Sequence, residues 1–414
     1  MSNRALVLQH LYGVRVENLG DAQDIQHMIH ALQPGQPVVD VGHAGTAFRF
    51  MTAVLAATAK VPTLLTGSER MQQRPIGVLV DLLREMGAQI DYAKADGYPP
   101  LTISPATLSG GTYTMDASVS SQYVTAAMLI APKLDGGLRL EFPEPPTSLP
   151  YIEMTAALMR QCGFIIEIGE RHVQVAPGEA LPGTTLIVEP DWSSASYWYS
   201  WVTLAPIGTR IELPAFTKNS LQGDSDVAKI YRHFGVETTY HSTGVILERK
   251  DKVWIQSRFR ESEKSNIYQP TPSSINTTHK RESNPHLHLP LSLHLLDTPD
   301  LAQTIAVTGR ALGMTLKLTG LHTLRIKETD RIAALDAELT KTGAEVTTGP
   351  DWIVIDGTSP VVPHCSIATY QDHRMALAFA PLASLIPLHI ESPAVVEKSY
   401  PLYWEQVRQL RMDN

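Results

Sequence analysis

The chain has 414 residues, of which 43% are hydrophobic and 18% charged, and a formal net charge of −8. The length suits two or three domains, the composition suits a globular protein with a large core, and the net acidity excludes a broad nucleic-acid-binding surface while leaving room for a local cationic pocket. Two isolated cysteines, Cys162 and Cys365, exclude a disulfide framework or a Cys-rich zinc site and fit a reducing cytoplasm. No apolar run approaches the roughly 18 residues of a membrane span, and the opening MSNRALVLQHLYG lacks the layout of a signal peptide.

In chain order, the first predicted helix starts near Ser2 in SNRALVLQHL and the second near Gly45 in GTAFRFMTAVLAA. VLVDLLREMGAQI then reads as an amphipathic helix, a left-handed glycine cap at Gly87 and a short strand. A helix from near Ser120 in SSQYVTAAMLIA follows, and MTAALMRQCGFIIEI repeats the helix–glycine–strand pattern at Gly163. The expected hinge is IVEPDWSS, residues 187–194. Beyond it come a helix near Ser193, the pattern DVAKIYRHFGVETTY with Gly235, a helix near Asp300, the pattern IAALDAELTKTGAEV with Gly343, and a helix near Asp372.

The four glycines are 76, 72 and 108 residues apart, the spacing of a duplicated supersecondary unit. The long interval contains residues 257–287, rich in Ser, Asn, Thr, Pro and charge. These read as a polar surface insertion, with a partner-binding loop as the alternative. Six helix-plus-strand copies predict an α/β protein of two pseudo-symmetric domains, 1–189 and 190–414, each with three copies.

A helix start offers free N–H groups and partial positive charge. Six of them meeting in one cleft bind phosphate or carboxylate, although any one alone reads equally as an ordinary N-cap. Arg49, Arg74, Arg331, Arg374 and Lys398 lie in stretches otherwise small, apolar or constrained by Pro and Gly. Around one cleft they suit a substrate bearing both anions. RIKETDRI, residues 325–332, concentrates such charges. Lys327 and Arg331 share a face if the helix extends that far, Asp330 reads as a cap, and Glu328 reads as an ion-pair partner. Asp300 in TPDLAQT reads by itself as an N-cap.

Taken together, SNRAL, GHAGTAFR, QRPIG, SSQYVTAAMLIAP, SLPYIEMT, VEPDWSSASYW, NSLQGD, DTPDLAQTIAV, RIKETDRI, TYQDHRMAL and EKSYP resemble, in order and over nearly the whole chain, the 5-enolpyruvylshikimate-3-phosphate synthase family. The resemblance implies two inside-out α/β domains, each of three repeated units, closing on substrate. It implies transfer of the enolpyruvyl group of phosphoenolpyruvate to the 5-hydroxyl of shikimate 3-phosphate by a cytoplasmic monomer, with no cofactor and no metal. Carried over by motif, Arg4, Ser120, Ser121, Gln122, Ser148, Asp300 and Lys327 hold shikimate 3-phosphate. Gly45, Arg74, Gln122, Arg331, Arg374 and Lys398 hold phosphoenolpyruvate. Asp300 and Glu328 handle protons. Gly45 leaves room for phosphoenolpyruvate or the analogue glyphosate, so glyphosate sensitivity is expected.

Three departures stand out. The family carries a strand and a Gly-Ser-Lys-Ser-like segment just before SNR, whereas this chain opens Met1-Ser2-Asn3; the expectation is that such a segment belongs upstream. His43 stands where the family often has Asn or Ala, and Thr323 where some members have Asn. The competing readings are an impaired homologue that only binds the anionic substrates, and a UDP-N-acetylglucosamine enolpyruvyl transferase. Against the latter, neither cysteine lies in a mobile loop of the first half.

Overall fold

The computed structural model describes residues 1–250 and 290–412, so the insertion expected at 257–287 lies outside the described residues. Three segments run strand, helix, strand, helix, strand, strand, and each folds into a four-stranded sheet of the same order. In the first, Val38–Asp40 runs parallel to Thr63–Thr66, Leu101–Ser104 lies antiparallel beside that strand, and Gln89–Tyr92 takes the far edge. Gly111–Thr114, Leu138–Glu141, His172–Val175 and Ile166–Gly169 repeat it, as do Leu291–His294, Thr315–Thr319, Trp352–Asp356 and Glu345–Thr348. A fourth sheet has three strands, Arg210–Pro214, Gly244–Arg249 and Val236–His241. Two parallel pairs complete the set, Arg15–Glu17 with Thr185–Ile187 and Cys365–Ile367 with Leu388–Ile390.

All four repeat glycines take the left-handed conformation, with φ of 107°, 94°, 92° and 89° at Gly87, Gly163, Gly235 and Gly343. The helix expected in DVAKIYRHF is cut short. Only Val227–Ile230 is α-helical, between the 3-10 turns Gly223–Asp226 and Tyr231–Phe234. The tighter winding stacks residues three apart, and both Tyr231 and Phe234 bury there against the sheet.

The helices that start with small or polar residues are the most buried. Ser2–Tyr12, Gly45–Thr58 and Ser121–Ile130 pack on one another in the first half, and Trp192–Leu204, Ala302–Ala311 and His373–Phe379 in the second. Sheets and amphipathic helices wrap them, with strands alternating buried and half-buried residues. Two hydrophobic cores result, one from Ala5 to Val188 and the other from Trp192 to Val407. Each buried Leu, Met or Phe, such as Met375, Leu377 and Phe379, contributes roughly 1.5–3 kcal/mol.

Small hydroxyl residues let the second trio approach closely: Ser196 meets Thr304 at 3.1 Å, Thr308 donates to Ser200 at 2.8 Å, and Tyr231 meets Thr308 at 2.8 Å. Arg310, fully buried, ties the far end of the helix Ala302–Ala311 to the chain that follows it. Its guanidinium donates to the carbonyls of Gly357 and Ser359 at 2.7 Å, to that of Pro360 at 3.0 Å, and to both the hydroxyl and carbonyl of Thr342. Arg310→Ala strips these acceptors of their donor, and should cost roughly 3 kcal/mol or more, read as a lower midpoint in urea unfolding.

Candidate active site

The starts of the six buried helices face one another across a cleft between the two cores. Its walls include Ser2, Asn3, Arg4, Gly45, Thr46, Gln122, Asp191, Ser193, His373 and Arg374, within the first turns or caps of five of those helices, and Asp300, in the 3-10 turn that leads into the sixth. The expected convergence is therefore present. All thirteen residues carried over by motif line this cleft or the two cavities adjoining it: Arg4, Gly45, Arg74, Asp300, Lys327, Glu328, Arg331 and Arg374 in the main cavity, Ser120, Ser121, Gln122 and Ser148 beside it, and Lys398 on the other side.

In the first half, Arg4 is buried, donates through Nε to the Thr155 hydroxyl at 2.7 Å, and lies over the Phe50 ring. Burial lowers its guanidinium to about 10, so it stays charged at neutral pH. Ser120 caps its helix by accepting from the Gln122 N–H at 3.3 Å, and the Gln122 amide donates to Thr46 Oγ1 at 3.2 Å. Ser148 takes a left-handed conformation (φ 54°), and its hydroxyl reaches the Leu296 carbonyl of the other half at 3.4 Å. Gly45 sits in a crowded spot: a Cβ there would lie 2.4 Å from Nη1 of Arg74 and 3.1 Å from Nη1 of Arg49, so a larger residue would push the Arg74 guanidinium aside. Arg74 itself is buried, with its Nε unpartnered and its nearest carboxylate, Glu328, 3.8 Å away.

The second half holds a compact ion network. Arg331 donates to Asp372 at 2.7 Å, to Asp300 at 3.0 Å and to Glu328 at 2.9 Å. Arg374 donates to the other oxygen of Asp300 at 2.9 Å, Lys398 to Glu328 at 2.5 Å, and Lys327 lies 3.9 Å from Asp300. Burial pushes the Glu328 carboxyl up, but Lys398, Arg331 and Arg74 outweigh it and hold it well below the usual range. Burial likewise opposes ionisation of Asp300, and Arg374, Lys327 and Arg331 override it. Both carboxylates are thus ionised and face a cleft lined with cations.

Two local readings change. Asp300 caps nothing: it sits in the 3-10 turn Pro299–Leu301 without a side-chain cap bond, and both its oxygens go to arginines. The helix after RIKETD starts only at Arg331, where Asp330 accepts from the N–H groups of Ile332 and Ala333. Lys327 lies outside that helix, so it and Arg331 meet at Asp300 rather than along a helix face. Asp330 is the cap the sequence suggested.

The structure adds Asp24, Tyr151, Asp224 and His373 to the cleft wall and Asp372 buried behind it. Tyr151, Asp224, Asp372 and His373 fall inside motifs already singled out. Asp24 gives no signal, because a lone carboxylate in an amphipathic helix looks like surface. Here burial raises it to about 6, and its Oδ1 has no partner. Burial and Lys398 lower His373 to about 3, so its imidazole is neutral. Asp372 is fully buried, caps the helix His373–Phe379 at the Arg374 N–H, and anchors Arg331. Asp224 joins the halves, accepting from the Tyr151 hydroxyl at 3.3 Å and from Ser193.

Residues 1–407 match the EPSP synthase (3-phosphoshikimate 1-carboxyvinyltransferase) family. A 3-phosphoshikimate 1-carboxyvinyltransferase of Bacteroides fragilis is 41% identical over 416 residues, covering 99% of this chain and 92% of the relative. One from Vibrio cholerae serotype O1 is 33% identical over 449 residues, covering 99% and 94%. Among solved structures, an EPSP synthase from Acinetobacter baumannii superposes with a TM-score of 0.70 at 20% identity, covering 99% of this chain and 92% of that one. The enolpyruvyl transferase NikO from Streptomyces tendae gives 0.66 at 13%, covering 99% and 93%. At such identities the superpositions establish a common fold.

Burial raises the Asp224 carboxyl to about 7, and Asp300 adds to the rise, against the Ser193 hydrogen bond and the charge of Arg374. A folded-state pKa above the unfolded one means that the native protein holds the extra proton, so this group's contribution falls as pH rises from about 4 through about 7. Asp224→Asn should remove that loss, and thermal melts at pH 5 and pH 8 should differ less in the variant than in the parent.

Proposed function

The chain belongs to the EPSP synthase family, and from that membership we propose how its cleft divides the work of the family's reaction. The enzyme transfers the enolpyruvyl group of phosphoenolpyruvate to the 5-hydroxyl of shikimate 3-phosphate and releases phosphate. The observation that carries the assignment of roles is the pair Asp300 and Glu328, both ionised, both set among cations, in a cleft to which each half contributes. Neither the UDP-N-acetylglucosamine reading nor a binding-only homologue is favoured.

Arg4, Ser120, Ser121, Gln122, Ser148 and Lys327 hold shikimate 3-phosphate, with Asp300 at its 5-hydroxyl. Gly45, Arg74, Gln122, Arg331, Arg374 and Lys398 hold phosphoenolpyruvate. The hydroxyl oxygen attacks C2 of phosphoenolpyruvate, loses its proton to a carboxylate, and C3 gains a proton. The tetrahedral adduct then collapses: C3 returns a proton and the C2–O bond to phosphate breaks. Asp300 and Glu328 carry these protons, and the surrounding cations stabilise the charge that develops.

The ion network supports a link between binding and protonation. The cations that hold Glu328 ionised, Lys398, Arg331 and Arg74, are those assigned to phosphoenolpyruvate. As they turn to the substrate's carboxylate and phosphate, Glu328 loses partners and its proton affinity rises. We take 1–189 and 190–414 as domains that close on the substrates and exclude water. A cytoplasmic monomer is consistent with the two free, buried cysteines and with a cleft built from one chain. The lack of a side chain at Gly45, where a Cβ would displace Arg74, supports inhibition by glyphosate in competition with phosphoenolpyruvate.

Phosphate release with both substrates present tests the reading, and its absence would overturn it. Glu328→Gln should lower kcat by about 10²–10⁴-fold, with a smaller change in either KM. Gly45→Ala forces Arg74 aside, so the KM for phosphoenolpyruvate should rise about tenfold or more, with shikimate 3-phosphate affected less.

A further inference from the structure

One side chain of the first half grips the backbone of the residues on which the proposed chemistry depends. Arg70 immediately precedes the 3-10 turn Met71–Gln73 that delivers Arg74 to the cleft. Its Nε donates to the carbonyl of Glu328 at 2.8 Å and its Nη2 to the carbonyl of Lys327 at 3.1 Å. Its Nη1 donates to Gln73 Oε1 at 3.3 Å, which orients the fork. Lys327 and Glu328 lie between the 3-10 turn His322–Ile326 and the helix Arg331–Lys341, so neither carbonyl belongs to a helical ladder. That irregular stretch must nevertheless hold the Glu328 carboxylate within reach of Lys398 at 2.5 Å and Arg331 at 2.9 Å.

We propose that Arg70 is a positioning residue for proton transfer, fixing Glu328 and Lys327 through their backbone carbonyls from across the cleft. The donors come from one half and the acceptors from the other, so the carboxylate reaches its working position only when the halves are together. Closure thereby assembles the proton-transfer site as well as excluding water. Arginine suits the task because its planar fork reaches two adjacent carbonyls at once, which an ammonium cannot do with the same fixed geometry. This inference rests on the reading that Glu328 carries protons.

The test is a double-mutant cycle in steady-state kinetics with Arg70→Met, Arg70→Lys and Glu328→Gln. A displacement of about 1 Å at a reacting group can cost about 10²-fold in rate. Arg70→Met should accordingly lower kcat about 10- to 100-fold, Arg70→Lys should recover part of the loss, and thermal midpoints should stay close to the parent's. In the Glu328→Gln background, Arg70→Met should lower kcat little further, because its effect runs through that carboxylate. Arg70 acting as simple glue between the halves would instead give losses that multiply, and that result, or an unchanged kcat in Arg70→Met, overturns the proposal. If Glu328→Gln itself retains full kcat, the reading of Glu328 fails, a distinct outcome.

Discussion

Charges out of water must be paired, and in this protein the pairing centres on Arg331. Its side chain is 2% exposed and is surrounded by Asp300, Glu328 and Asp372. One guanidinium cannot neutralise three carboxylates. The remainder is met by Arg374 on Asp300 and by Lys398 on Glu328. Because these groups come from four separate stretches of the second half, around Asp300, Glu328–Arg331, Asp372–Arg374 and Lys398, the network ties those stretches together. Removing one member leaves another buried and uncompensated, which is the costly case for buried ions.

The fold exists in this form because the helices at its centre are co-operative in two senses. Their sides are apolar or small, with hydroxyls such as Ser196, Ser200, Thr304 and Thr308 where they touch, so they can be buried on all sides. Their ends cannot be buried without partners, since the first N–H groups of a helix have none within it. Opening those ends onto a common cleft answers both demands. The result is a site rich in oriented donors in a chain that carries net negative charge.

Much of this was legible in sequence, and the failures have physical causes. The repeat was visible because glycine is needed wherever the backbone turns left-handed, as at Gly87, Gly163, Gly235 and Gly343. The helix starts were visible because small polar residues stand before otherwise apolar runs. What sequence could not give was the partner of each charge. Asp300 looks like a cap in its own segment, and only the fold brings Arg331 and Arg374 to it from 31 and 74 residues away. Asp24 and Arg70 were invisible for the same reason: each sits among polar neighbours, and its role is defined entirely by what lies across the cleft. The shortened helix at Val227–Ile230 reflects a different limit, since a periodic apolar pattern does not distinguish α from 3-10 winding over a single turn.

The two halves of the cleft differ in how far their charges are satisfied. In the second half nearly every cation has a carboxylate at hydrogen-bonding distance. In the first, Arg74 has only Glu328 at 3.8 Å, and the Nε of Arg49 and of Arg74 are both buried without a partner. A buried donor without a partner costs free energy that an acceptor supplied by an anion relieves. On the proposed assignment, an anion beside Gly45 completes the first half directly. Its second anionic group competes with Glu328 and Asp300 for the cations of the second half. On the proposed assignment, binding relieves one half while loosening the internal pairs of the other, and the carboxylates so loosened are those to which we assign proton transfer.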